Sequence, residues 1–138
     1  MGKINILMAE DHKVVRQGIR QFLEREPDIK VVGEASNGEE AVRLAEALKP
    51  DVVIMDIAMP KLNGIEATKQ IKTLYPSVAV LILTTYDDNE YVLSFFKVGA
   101  AGYLLKTARG SELIAAIRAL YAGEVILHPV IPHKIEQR

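Results

Sequence analysis

The sequence predicts an α/β fold in which helices cover both faces of a parallel sheet. Two observations carry this prediction. Five short apolar runs alternate strictly with five segments in which apolar residues recur every three or four positions. The runs are mainly apolar and do not alternate between apolar and polar residues, which is typical of strands buried on both faces. Such alternation favours right-handed crossovers within one sheet.

Length, charge and composition limit the function. The 138 residues suit one domain, and the 17 basic and 18 acidic residues nearly cancel, so nothing indicates a chain that coats nucleic acid or anionic lipid. The lack of cysteine excludes a disulfide framework and a thiolate metal site. Neither a signal peptide nor an apolar run of about 18 residues is present. We therefore expect a cytoplasmic chain without membrane contact.

The first strand and helix follow from a change of period. Residues 4–9 form an apolar run that ends at Glu10, as expected for a buried strand followed by a polar loop. The spacing then becomes helical, and Pro27 ends the helix. The predicted inner face of this helix consists of Val15, Ile19, Phe22 and Leu23.

The second and third strand–helix pairs are marked by their caps. Residues 29–35 and 52–55 are predicted strands, and the segments 36–40 and 63–66 carry the residues of helix N-caps. The inner stripes are predicted to be Ala41, Ala45 and Leu48 in the second helix and Ala67, Ile71 and Leu74 in the third.

The last elements are shorter. Residues 78–83 are the most continuous apolar run and predict the fourth strand, and 102–105 predict the fifth. The helix between these strands is predicted from Val92, Phe95, Phe96 and Gly99, and the final helix from Leu113, Ile117, Leu120 and Tyr121. Residues 1–123 thus form the predicted domain. Residues 124–138 carry two prolines and no sustained period, so we interpret them as a linker or a docked tail.

Polar residues follow four of the predicted strands. In an open parallel sheet the site lies beyond the carboxyl ends of the strands, which here deliver Glu10, Asp11, Asp56, Thr84, Thr85 and Lys106. Three carboxylates brought together repel by about 4 kcal/mol per close pair at an effective dielectric near 20. They therefore need a cation, and oxygen ligands without cysteine favour Mg²⁺.

This set of groups fits phosphoryl transfer. A carboxylate such as Asp56 can attack phosphorus when cations stabilise the equatorial oxygens. Lys106 is predicted to pair with one of these oxygens and Thr84 to donate to another. Tyr103 lies on the neighbouring strand, where it can respond if Thr84 moves.

The order of these motifs resembles the receiver domain of two-component response regulators. The resemblance covers about residues 3–123, and it is carried by Glu10-Asp11, by 55–60 (Met-Asp-Ile-Ala-Met-Pro), by 83–85 (Leu-Thr-Thr) and by 102–106 (Gly-Tyr-Leu-Leu-Lys). Residues 100–107 are similar to the NarL/FixJ group, whose members continue into a LuxR-type helix-turn-helix. The resemblance implies a flavodoxin-like (βα)5 sandwich with a five-stranded sheet of order 2-1-3-4-5.

The resemblance also implies residue roles and partners. Asp56 would accept a phosphoryl group from the phosphohistidine of a sensor histidine kinase. Asp11, Asp56 and the backbone carbonyl of Ala58 would bind Mg²⁺, with Glu10 reaching it through water. The phosphoryl region would include Thr84, Thr85 and Lys106, the switch pair would be Thr84 and Tyr103, and Ala58 and Tyr86 would tune the phosphoryl lifetime.

Phosphorylation would turn Tyr103 inward and reshape a surface that controls homodimerisation. The surface is either the one made by the last two helices and the fifth strand or the one made by the first and last helices. DNA would be reached only through an output domain outside this chain. A helix-turn-helix needs about 60 residues, so residues 124–138 cannot hold one, and we favour a receiver cut from a longer regulator over one that acts alone.

Each residue also has a plain structural interpretation. Asp11 can be a helix N-cap, Asp56 a turn residue, Lys106 a surface lysine and Tyr103 a half-buried aromatic on an edge strand.

Many receivers have proline after the lysine, often in a cis peptide bond, whereas this chain has Thr107, where a cis bond costs about 3 kcal/mol.

The sequence argues against two enzymes of this fold and leaves one alternative open. A flavin protein of this fold needs a glycine- and hydroxyl-rich phosphate loop where this chain has Glu10-Asp11, and a haloacid dehalogenase phosphatase needs Asp-x-Asp there. A receiver-like interaction module that is never phosphorylated stays open. Beyond its own phosphorylation and dephosphorylation we expect no enzymatic activity.

Overall fold

The apolar runs and helical stripes form elements close to the predicted ones. The computed structural model describes residues 3–56, 59, 61–84, 94, 96–106, 108–124 and 126–127. The elements within these ranges are β1 (Ile4–Ala9), α1 (Lys13–Leu23), β2 (Ile29–Ala35), α2 (Gly38–Leu48), β3 (Val52–Asp56), α3 (Gly64–Leu74), β4 (Ala79–Thr84), β5 (Gly102–Leu105), α4 (Gly110–Tyr121) and β6 (Ile126–Leu127).

All described strands are parallel and lie in the order β2-β1-β3-β4-β5-β6. The predicted five-stranded order 2-1-3-4-5 is confirmed, and β6 adds two residues beside β5. This short strand comes from the segment predicted as a linker or docked tail. Of the predicted helix around 92–99, the structure describes residues 94 and 96–99, in which the Val98 N–H donates to the Ser94 carbonyl at 3.2 Å.

The core is divided into two layers by the sheet. Successive strand residues face opposite sides, so Leu7 and Val53 pack with α2 and α3, while Met8 and Ile54 pack with α1 and α4. Both faces are therefore covered, as the continuous apolar runs predicted. Among the described residues, no helix combines the length and the apolar character needed to span a membrane.

The two predicted N-caps are present. The side chain of Asn37 accepts from the Glu40 N–H at 2.8 Å, and the Glu40 carboxylate in turn accepts from the Ser36 N–H at 2.8 Å. Asn63 accepts from the Glu66 N–H at 2.9 Å. Each cap satisfies a backbone donor that the helix leaves without a partner. These caps fix where α2 and α3 begin beside the sheet.

Some apolar residues predicted to face the core are exposed instead. All of them lie in the first or last turn of a helix. At a helix end, the core packs against the helix only on the side of the preceding or following turn, and the other side is open to solvent. They are Val15 (40% exposed), Leu48 (37%), Leu74 (58%) and Tyr121 (52%). Helical spacing predicts the inner stripe correctly in mid-helix but does not show how far the sheet extends beneath it.

Candidate functional site

The carboxyl ends of the central strands meet at one edge of the sheet. Asp56 is the last residue of β3, and Glu10 directly follows β1. Strands β1 and β3 are neighbours, with Ala9 in register with Met55. On the other side of β3, Asp56 is in register with Leu83 of β4. Because the strands are parallel, the side chains that follow them gather at this edge.

Three carboxylates form a tight cluster there. Glu10, Asp11, His12 and Asp56 each offer one atom able to ligate a metal, and these four atoms all lie within 4.8 Å of one another. The side chains of Glu10 and Asp56 are each only 5% exposed. Carboxylates that lie this close together and are this little exposed to solvent repel one another strongly unless a cation neutralises them. The structure therefore brings together the acidic residues that the sequence singled out.

Lys106 supplies one positive charge to this cluster. Its Nζ lies 2.9 Å from Glu10 Oε1 and 3.4 Å from Asp56 Oδ1. Burial alone would lower the pKa of Lys106, but the hydrogen bond to Glu10 and the charge of Asp56 outweigh it, so the pKa is raised. Lys106 is thus held as an ammonium next to Asp56 rather than free on the surface.

Glu10 is more enclosed than the sequence suggested. Burial opposes its ionisation, but hydrogen bonds from Lys106 and from the backbone and side chain of His12 lower its pKa below the ordinary value. The Glu10 side chain therefore stays ionised between two cationic or donating neighbours. Its direct bond to Lys106 was not predicted, since the sequence placed Lys106 only against the phosphoryl group.

Asp11 offers the clearest sign of a cation site. Its Oδ1 is buried and has no hydrogen-bond partner within the described residues. His12 Nδ1 lies 3.3 Å from this oxygen and forms an ion pair with it when the ring is protonated. The α1 N-cap is His12, without a side-chain cap, so the interpretation of Asp11 as a helix cap is wrong. A buried carboxylate oxygen left without a donor beside two other carboxylates fits a hard cation.

His12 is a site residue that the sequence did not single out. Its Nδ1 lies 3.1 Å from Glu10 Oε2, and its backbone N–H donates to the same oxygen at 3.1 Å. The hydrogen bond to Glu10 and then the charge of Asp11 raise the pKa of His12. Its position next to the acidic pair was the only sequence signal for this contact.

The raised pKa of His12 gives a measurable pH dependence. We expect an NMR titration of the metal-free chain to give a His12 pKa above the ordinary value of about 6.5. The protonated ring stabilises the fold below that value, and this contribution is lost as the pH rises through the raised pKa. Saturating Mg²⁺ should lower the His12 pKa, because it neutralises the neighbouring carboxylates.

Glu10→Gln serves as the control for this titration. It removes the charge and changes the hydrogen bond that raise the His12 pKa, so the pKa should return toward its ordinary value without Mg²⁺. A wild-type His12 pKa at or below about 6.5 would contradict the geometry described here.

The predicted switch residues lie on adjacent strands. Thr84 ends β4 and is in register with Leu105, and Tyr103 of β5 is in register with Ile82. Tyr103 is completely buried in the layer that includes Ile82 and Met55. The interpretation of Tyr103 as a half-buried residue of an edge strand is therefore wrong, since β6 pairs beside β5. The role of Tyr103 and Thr84 as a switch pair stays a prediction.

Several predicted positions lie outside the described residues. Ala58, Thr85, Tyr86 and Thr107 belong to this group, and so does the peptide bond between Lys106 and Thr107. Their assigned roles stay predictions.

Comparison with known sequences identifies the family. The model of the response regulator receiver domain matches residues 6–118. The transcriptional regulatory protein DegU of Brevibacillus brevis is 43% identical over 133 residues, which cover 96% of this chain and 56% of that protein. LiaR of Bacillus subtilis strain 168 is 44% identical over 135 residues, covering 98% of this chain and 64% of LiaR. The chain thus spans somewhat more than half the length of these relatives.

A solved structure agrees with these sequence matches. A LuxR-family two-component response regulator from Aurantimonas sp. SI85-9A1 superposes with a TM-score of 0.93 at 37% identity, covering 99% of this chain and 97% of that one. The sheet order, the acidic cluster at its carboxyl edge and these matches lead to one conclusion. The chain belongs to the response regulator receiver domain family, among relatives of the NarL/LuxR group.

Proposed function

We propose that this chain is a phosphorylation-activated switch of a two-component system, with Asp56 as the phosphoryl acceptor. The observation that carries the proposal is the position of Asp56. Its carboxylate lies at the end of a central strand, 3.4 Å from the Lys106 ammonium and inside the cluster of Glu10 and Asp11. A carboxylate enclosed by a cation and a metal-type site is arranged to react with an anion that it would otherwise repel.

The donor is the phosphohistidine of a sensor histidine kinase. An oxygen of Asp56 attacks phosphorus and forms the new P–O bond, while the P–N bond breaks and its electron pair leaves with the imidazole. Hydrolysis later returns Asp56 and inorganic phosphate. The chain thus catalyses only its own phosphorylation and dephosphorylation, and Lys106 pairs with the charge that develops on the phosphoryl oxygens.

The cation would be Mg²⁺, and Asp11, Asp56 and the backbone carbonyl of Ala58 would hold it, with Glu10 reaching it through water. The buried Oδ1 of Asp11, which accepts no hydrogen bond within the described residues, supports this assignment, as does a ligand set dominated by carboxylates. When bound, Mg²⁺ supplies charge neutralisation at the phosphoryl oxygens. Lys106 then exchanges part of its pairing with Glu10 for the phosphoryl group.

The output is a shift between conformations. Thr84 and Thr85 contact the phosphoryl group. Tyr103 changes its position when Thr84 moves. Ala58 and Tyr86 determine how long the phosphoryl group survives. Tyr103 is fully buried on the strand beside Thr84, and phosphorylation shifts the population toward the conformation in which the two residues are coupled. The favoured state dimerises in the cytoplasm and controls transcription through a DNA-binding domain outside this chain.

Beryllofluoride, a mimic of the phosphoryl group, tests this proposal. The receiver domain of RcsB from Salmonella enterica serovar Typhimurium, which is 28% identical with a TM-score of 0.86 over 96% of this chain and 98% of that one, has been solved with it. We expect ¹⁹F NMR to detect Mg²⁺-dependent binding here, and sedimentation to show a larger dimer fraction.

The controls separate the parts of the proposal. Removal of Mg²⁺ with EDTA should abolish both signals. Binding without dimerisation would contradict only the proposed output. A folded chain that binds no beryllofluoride with Mg²⁺ would contradict the acceptor role and favour the alternative, a receiver-like interaction module that works without phosphorylation.

A further inference from the structure

Arg16 of α1 connects the ends of two strands next to the acidic cluster. Its Nη1 donates to the backbone carbonyl of Glu10 at 2.6 Å, and its Nε donates to Glu34 Oε1 of β2 at 2.7 Å. The Arg16 side chain is only 14% exposed. Two bonds from the rigid plane of one guanidinium leave it little freedom. The Arg16 side chain therefore forms a fixed bridge from α1 to β2 and to the end of β1.

The hydrogen bond from Arg16 is made to the peptide unit that joins Glu10 to Asp11. The Glu10 N–H donates to the Ala35 carbonyl at 3.0 Å, so Glu10 is fixed by β2 on one side and by Arg16 on the other. The Glu10 carbonyl and the Asp11 nitrogen belong to one planar peptide unit. The bond from Arg16 therefore constrains the direction in which the Asp11 side chain leaves the backbone.

We propose that Arg16 is a positioning residue for the metal site. Through the Glu10 peptide it holds the buried Oδ1 of Asp11 where the cation binds, although it contacts neither the cation nor the phosphoryl group. This inference rests on the proposed function, because it assigns a role toward the same Mg²⁺ site. Partners that orient metal ligands typically contribute 10- to 100-fold to metal affinity, as a rough range.

Charge and position predict opposite effects for Arg16. If Arg16 acted only as a positive charge near the carboxylates, its removal would tighten Mg²⁺ binding, because one repulsive cation would be lost. If it positions Asp11, its removal weakens Mg²⁺ binding. If it only stabilises the fold, its removal lowers the free energy of unfolding and leaves the Mg²⁺ affinity of the folded chain unchanged.

Arg20 provides a matched control on the same helix. It pairs through Nη1 with the same Glu34 and through Nε with Glu24 at 3.3 Å. None of the described hydrogen bonds or ion pairs joins Arg20 to Glu10. Arg20→Met thus removes an equal charge and a bond to Glu34 while the bond to the Glu10 carbonyl remains.

The test is a Mg²⁺ titration of the wild-type chain, Arg16→Met and Arg20→Met, followed by ¹⁵N-resolved NMR shifts at Asp11 and Asp56. We expect Arg16→Met to raise the Kd for Mg²⁺ about tenfold and Arg20→Met to change it less than about twofold. Thermal unfolding of both variants measures the separate cost to stability.

The outcomes distinguish the two levels of the proposal. Unchanged or tighter Mg²⁺ binding by folded Arg16→Met would overturn the positioning role. Failure of the wild-type chain to bind Mg²⁺ would instead overturn the proposed function. If Arg16→Met does not fold, Arg16→Lys keeps the charge but loses the planar fork, and it should weaken Mg²⁺ binding several-fold; wild-type affinity in that variant would equally overturn the role of Arg16.

Discussion

Asp56→Asn is expected to reduce phosphoryl uptake from acetyl phosphate or a phosphohistidine donor by more than about a hundredfold. The amide that replaces the carboxylate is neutral and a much weaker nucleophile. Asparagine nearly preserves the size of the side chain, so the loss would reflect chemistry rather than packing. Uptake is measured by mobility on phosphate-binding gels or by mass spectrometry at saturating Mg²⁺.

Asp51→Asn is the matched control for this change. Asp51 directly precedes β3 and accepts a hydrogen bond from the Asn5 N–H at 2.8 Å through Oδ2, at the opposite end of the strand from Asp56. An asparagine oxygen can still accept that bond, and phosphoryl uptake should stay within about twofold of wild type. Uptake that survives in Asp56→Asn would show that another residue is the acceptor.

The acidic cluster could be predicted because it depends on topology alone. Alternating strands and helices indicate a parallel sheet, and parallel strands end at one edge. Glu10, Asp11 and Asp56 then converge if the first and third strands are neighbours, as they are in the structure. The two asparagine caps depend on local patterns and are confirmed. The strand order, which is also confirmed, was implied by the family resemblance and not by the local patterns. The family resemblance then supplied roles that topology cannot give.

Contacts that depend on side-chain reach were not predictable in this way. Lys106 Nζ is close enough to pair with both Glu10 and Asp56. The spacing of these residues along the sequence does not show how near their side-chain atoms lie in the fold. Arg16 bonds to a backbone carbonyl, which leaves no mark in the pattern of residue types. Tyr103 is fully buried in a core layer that also contains residues from distant parts of the chain, such as Ala41 and Ala67.

Gly38→Ala is expected to lower the free energy of unfolding by about 3 kcal/mol, at the upper end of the usual cost of overpacking. Gly38 is the first residue of α2, and a Cβ there would lie 1.8 Å from the backbone oxygen of Leu62 and 2.6 Å from its carbonyl carbon. Backbone atoms cannot rotate away as a side chain can. Either α2 or the segment before α3 must therefore move.

Gly18→Ala, in another helix, is expected to change stability in the opposite direction. Nothing lies within 4 Å of a Cβ at Gly18 of α1, so alanine should raise the free energy of unfolding by about 0.8 kcal/mol through helix propensity alone. Urea unfolding of both variants measures the difference. Equal stability of Gly38→Ala and wild type would show that the contact between α2 and Leu62 is loose.

The Gly38 contact also links stability to the site. Leu62 lies in the connection between Asp56 at the end of β3 and the Asn63 cap of α3. A displaced Leu62 shifts this connection, which carries the Ala58 carbonyl proposed as a metal ligand. We therefore expect folded Gly38→Ala to bind beryllofluoride and Mg²⁺ more weakly, whereas Gly18→Ala should bind them as wild type does. Weakened binding in Gly38→Ala alone would show that close packing of α2 against Leu62 maintains the geometry of the proposed phosphorylation site.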